Sequence, residues 1–75
     1  MPKRDPILAS FGLSLRRWRE NKSLTQECLA EKADLDQTYI SGIERGVRNP
    51  GIKNVVRLAK ALGIPTAQLV EGVDL

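Results

Sequence analysis

Gln37, Thr38, Ser41 and Arg45 fall within nine residues, and at about 100° of rotation per residue they gather with Gly42 on one side of a helix. A glutamine can bond an adenine edge through two atoms, hydroxyls donate or accept, and an arginine reaches guanine or a phosphate. Such a face suits the major groove of DNA. Asp36, just before it, offers an acceptor for a cytosine amino group, and Gly42, counted with Gln37, Thr38, Ser41 and Asp36 among the base-reading residues, would let the backbone approach closely. The opposite side carries Ile40 and Ile43, with Tyr39 beside them, and reads as packed. Other chemistry is poorly supplied. With no histidine and one cysteine, Cys28, the chain can build neither a disulfide framework, a His/Cys zinc site nor an imidazole-dependent catalytic triad. No metal, cofactor or enzymatic activity is expected, and Cys28 is expected to be a small, half-buried packing residue.

The elements that must hold this face are helical throughout. Leu8, Phe11, Leu15 and Trp18 draw an apolar stripe along a first helix over 6–21, with Pro6 suited to its first turn. Thr25 caps a second helix over 25–33, and Asp36 caps a third over 36–45, closed by Gly46 in the left-handed conformation. Leu24 and Leu35 precede those caps at the offset that staples onto Leu29 and Ile40. Only Asp34 and Leu35 separate the second helix from the third cap, too little chain for antiparallel packing, so the two helices cross sharply. Asp34 is expected to be left-handed, a region Asp tolerates better than most residues. Ile52, Val55, Val56, Ala59 and Leu62 predict a fourth helix over 52–62, stopped by Gly63, and a short fifth follows over 66–71. The fold class is therefore all-α: one compact five-helix domain over 1–75 with a helix-turn-helix.

The net charge of +3 is a weak sign of a polyanionic partner, but its distribution says more. Residues 1–22 carry +4, 23–44 carry −4 and 45–75 carry +3, so phosphates would be met by the flanks while the middle reads something other than bulk charge. No apolar run approaches the roughly 18 residues of a membrane span, and Met1 to Pro6 lack the pattern of a secretory signal. With a free thiol, these features lead to the expectation of a cytoplasmic protein.

Leu24-Thr25-Gln26-Glu27-Cys28-Leu29-Ala30, Tyr39 to Gly46, Arg48-Asn49-Pro50 and Leu58 to Ile64 together resemble the Cro and phage-repressor type of helix-turn-helix, the XRE family, over residues 8 to 71. Within it, the short length and the run Thr38 to Gly46 look most like controller proteins of restriction-modification systems. That resemblance implies a homodimer on a palindromic double-stranded DNA operator, regulating its own gene and the endonuclease gene, with RNA polymerase a candidate partner. It implies base reading by Gln37 and Thr38, and phosphate contact by Gln26 and by the loop residues Arg45, Arg48 and Asn49. Lys53 and Arg57 are further phosphate candidates. Arg19 and Glu44 match positions paired as a partly buried bridge between the first and third helices. Two residues depart from the usual pattern: Asp36 stands at a cap often filled by Ser, and Asp34 replaces the customary Gly of the turn.

A homodimer also follows from size, because one recognition helix reads only about four to six base pairs. Leu69, Val70, Val73 and Leu75 are the apolar surface expected to form its two-fold contact. An antitoxin or a phage Cro-like repressor shares most of these features. A protein-interaction module without DNA fits less well, since the polar outer face of the third helix lacks aromatic or apolar anchors.

Overall fold

The carboxylate of Asp5 accepts the backbone N–H groups of Ile7 and Leu8 at 2.9 and 3.1 Å, and Pro6 takes the first helical position without sacrificing a needed donor. So begins α1, Pro6–Asn21, in a computed structural model that describes residues 5–73. Ser23, with φ of 58°, turns the chain out of α1. The hydroxyl of Thr25 then accepts the N–H of Cys28 at 3.0 Å and opens α2, Gln26–Ala33. Asp34 is left-handed, at φ 56° and ψ 48°, and Asp36 accepts the N–H of Thr38 at 2.7 Å to open α3, Gln37–Glu44. These two helices begin one residue later than expected because Thr25 and Asp36 stand outside them as caps. The fourth and fifth are α4, Ile52–Leu62, and α5, Thr66–Val70, the latter ending before the extended Glu71. Among the described residues the architecture is five helices without a strand.

Packing follows the apolar stripes. Helix α3 lies against α1 and α2, α2 against α4, and α5 closes the far side on α1 and α4. Leu15, Leu29, Ile40, Ile43, Leu58 and Leu69 are fully withdrawn from water at the centre, each contributing about 1.5 to 3 kcal/mol by burial. The expected stripe on α4 needs correcting. Ile52 and Val56 are 72% and 46% exposed, whereas Leu58 is fully buried with Val55, Ala59 and Leu62. The same three-and-four spacing can be drawn through either set, and contact with α2 and α5 selects the second.

One crossing is unusually close. A β-carbon on Gly12 of α1 would clash with the carbonyl oxygen of Ile43 and come within 2.7 Å of that of Glu44, so backbone meets backbone where α1 passes α3. Gly46, at φ 77°, closes α3 and lies against Ala9 of α1 in the same region. The C-terminal end of α3 is thereby seated on the first helix.

Candidate nucleic-acid interface

Helix α3 divides sharply into two sides. Ile40 and Ile43 are completely buried, while Gln37 and Thr38 are exposed and Ser41 is half-buried. The first turn also presents Asp36, exposed, with one carboxylate oxygen already engaged in capping. Two backbone bonds fix the chain as it leaves α3: the N–H of Gly46 to the carbonyl of Ile43 at 3.0 Å, and that of Val47 to Gly42 at 2.9 Å. Arg45, Arg48 and Asn49 then stand exposed along the following loop. Gly42 departs from its expected place, because it is buried: the aliphatic stem of Arg48 lies over its α-carbon.

Lys53 and Arg57 are exposed on α4, one turn apart. Arg57 lines an open cleft of about 540 Å³ between α2 and α4, in the company of Lys32, Asp34 and Lys60. It is thus set among α2 neighbours, whereas the loop residues after α3 form a group of their own.

Behind α3 sits a compact polar cluster. Arg19 donates from Nε to Glu44 Oε2 at 2.6 Å and from Nη2 to Oε1 at 3.0 Å, a two-pronged pairing whose side chains are 12% and 4% exposed. Its Nη1 reaches the Leu24 carbonyl at 2.8 Å, tying in the turn before α2. The hydrogen bond with Glu44 holds the Arg19 guanidinium above its already high ordinary range, outweighing the opposing effect of burial. Gln26, half-buried at the start of α2, donates its side-chain amide to Glu44 Oε1 at 3.1 Å. One carboxylate therefore joins α1, α2 and α3. The link from Gln26 was not legible in the sequence, since it depends on how the three helices come together.

A second tie went unforeseen: Asn54 of α4 donates to the Tyr39 hydroxyl of α3 at 3.1 Å, so α4 braces α3 from the side next to its polar face. The position of Tyr39 at the edge of the packed side was the available sign.

The apolar residues expected to pair two copies fare unevenly. Leu69 is fully buried in its own core, and its carbonyl accepts from the Ser14 hydroxyl at 2.6 Å, so it cannot reach a second chain. Val73 is half-buried against the same core, Val70 is 39% exposed, and Leu75 lies outside the described residues. Cys28, expected to be half-buried, is exposed. Arg16 is engaged with Glu20 at 3.6 Å in an exposed pair one turn apart, a contact that adds little stability.

A family model described as helix-turn-helix matches residues 15–69. Control protein C.BamHI from Bacillus amyloliquefaciens is 45% identical over 62 residues, which cover 81% of this chain and 76% of that protein. The restriction-modification controller protein C.AhdI from Aeromonas hydrophila superposes with a TM-score of 0.81 at 45% identity, over 83% of this chain and 94% of that one. The controller protein C.Esp1396I, solved as a tetramer in complex with its natural 35 base-pair operator, superposes with a TM-score of 0.82 at 39% identity, over 89% and 88% of the two chains.

Proposed function

The chain belongs to the helix-turn-helix family of transcriptional regulators, XRE type, and from that premise we propose that it is a restriction-modification controller acting as a homodimer on a palindromic operator. The observation that carries the proposal is the division of α3, with Ile40 and Ile43 sunk in the core and Gln37 and Thr38 held out in water on a rigid element. Gln37, Thr38 and Ser41 read base edges, with Asp36 accepting from a cytosine amino group through its remaining oxygen. Arg45, Arg48 and Asn49 hold the phosphates flanking α3, joined by Lys53 and Arg57 from α4 and by Gln26, whose amide Glu44 orients. Two copies place their α3 helices about 34 to 36 Å apart, in successive turns of the major groove. Binding is the whole activity, without a catalytic step, and its site of action is the cytoplasm, where the bound dimer sets the access of RNA polymerase.

Helix α5 supplies the two-fold contact through Val70, now that Leu69 is committed to the core. This narrower surface calls for further apolar neighbours, and Leu13 of α1, 46% exposed, lines a groove with Gln68 and Glu71 of the α5 region.

Titration on two DNAs separates reading from holding. One duplex is enriched by the wild-type protein from a randomised pool, and the other is a scrambled control. Gln37→Ala or Thr38→Ala should lose roughly 1 to 3 kcal/mol on the enriched duplex and far less on the control, with an unchanged salt slope. Arg48→Ala should weaken both DNAs and flatten log K against log salt by about one unit per monomer. If Gln37→Ala and Arg48→Ala both lower affinity uniformly with the same change of slope, α3 is not the reading element.

A further inference from the structure

We propose that Gly42 is a positioning residue for DNA binding: its bare α-carbon seats the stem of Arg48 across α3 and so fixes where the guanidinium meets a phosphate. The proposal rests on the phosphate role given to Arg48 above. Gly42 lies inside an eight-residue helix, where glycine is less favourable than alanine because it loses more backbone freedom on folding. Its conformation does not require glycine. The glycines with positive φ are Gly46, Gly63 and Gly72, and Gly42 is not among them.

What glycine supplies at this position is space, and one side chain fills it. A β-carbon on Gly42 would stand 2.5 Å from Cγ of Arg48 and 3.5 Å from both its Cδ and Nε, the three nearest atoms outside the adjacent residues and the helix's own backbone. The contrast with Gly12 is informative, since there the missing methyl would strike the α3 backbone and glycine serves the fold. At Gly42 the obstruction is the stem of an exposed side chain that ends in a charge.

The approach of that stem is fixed from its root. Val47 donates its N–H to the carbonyl of Gly42 itself at 2.9 Å, and Gly46 rests against Ala9 of α1, so the chain one residue before Arg48 is pinned. On a helix surface position 42 is flanked by positions 38 and 39 on one side and 45 and 46 on the other, three and four residues away. The stem laid over Gly42 therefore lies next to Thr38 and Arg45 in the helix net, beside the face proposed to read bases. Arginine has many rotamers to lose on binding, and a stem laid in a groove has surrendered part of that freedom before DNA arrives.

The alternative is that Gly42 leaves room for the DNA backbone itself, and a double-mutant cycle distinguishes the two. Wild type, Gly42→Ala, Arg48→Ala and the double variant are titrated on the enriched and scrambled duplexes over a range of salt, alongside thermal melting. Gly42→Ala should melt within a few degrees of the wild-type temperature, because alanine's preference for the helix offsets the cost of rotating the Arg48 stem about its first side-chain bond. It should nevertheless bind both DNAs roughly tenfold more weakly with a shallower salt slope, and the double variant should be no worse than Arg48→Ala alone. In the free wild-type protein, nuclear Overhauser contacts should connect the Gly42 α-protons with the Arg48 γ-methylene. The proposal is overturned if Gly42→Ala binds like wild type, if it loses as much affinity in the Arg48→Ala background as outside it, if it melts well below wild type, or if those contacts are missing. Should Arg48→Ala bind like wild type while the contacts are present, the phosphate role of Arg48 fails, and the seat loses its function with it.

Discussion

Replacing Glu44 by alanine should destabilise the protein far more than any exposed charge removal nearby. The carboxylate is 4% exposed and accepts three hydrogen bonds, two from Arg19 and one from Gln26. Its loss leaves the Arg19 guanidinium, itself only 12% exposed, with the Leu24 carbonyl as its remaining acceptor. Breaking a buried pair from one side costs about 3 to 5 kcal/mol, mostly the penalty of a stranded charge. For a chain of 75 residues the whole stability is roughly 4 to 11 kcal/mol, so the loss is a large share of the total. At about 4 to 8 °C per kcal/mol, the melting temperature of Glu44→Ala should fall by at least about 12 °C. Arg45→Ala, one residue along and exposed, should lose about 1 kcal/mol or less. Thermal unfolding followed by circular dichroism, in one buffer and at one protein concentration, compares the two directly. Replacing both partners, as Arg19→Met with Glu44→Met, should recover much of the deficit because no charge is then stranded. Equal melting temperatures for Glu44→Ala and Arg45→Ala would refute the reasoning.

Gly12→Ala should lower the melting temperature by several degrees although alanine is the better helix former, because the new methyl meets the Ile43 and Glu44 carbonyls rather than open space. An unchanged or higher melting temperature would show that α1 can back away from α3. The protein should melt at nearly the same temperature from about pH 6 to pH 8, since it has no histidine. Arg19 is held charged above its ordinary range, so its contribution is complete below that range and is lost only in strong alkali. A steep change near neutrality would reveal a coupled group elsewhere. In sedimentation at high micromolar concentration the wild-type chain should run as a dimer, and Val70→Asp should shift it toward monomer. Retention of the dimer would move the contact to other exposed apolar residues, such as Ile52 and Val56.

The helix boundaries were legible wherever a residue's own chemistry decides them. Thr25 and Asp36 cap through their side-chain oxygens, Gly46 and Gly63 close helices in the left-handed region, and Asp34 makes the tight turn, all local effects that act without knowledge of the fold. What escaped depends on contacts between distant segments. Ile52 and Val56 compete with Leu58 for the buried side of α4, and periodicity alone allows either. Leu69 and Val70 are adjacent apolar residues in a five-residue helix, too short for a stripe to establish which one points inward. The Arg19 and Glu44 positions could be matched by resemblance, but the amide of Gln26 joins them only because α2 is brought to the same carboxylate. Gly42 read as an opening for DNA because nothing local announces that a loop arginine folds back over it.

The backbone contact at Gly12 separates two properties that a regulator of this kind must vary independently. The elevation of α3 above the body of the protein is set by main-chain atoms of α1, which have no rotamers through which to yield. Side chains on the outer face of α3 can therefore be exchanged while each is delivered at the same height. With the base-reading roles proposed above, a lineage of such chains is free to drift from one operator to another through Gln37, Thr38 and Ser41. The depth at which any of them would enter the groove is inherited separately, from a glycine in the first helix.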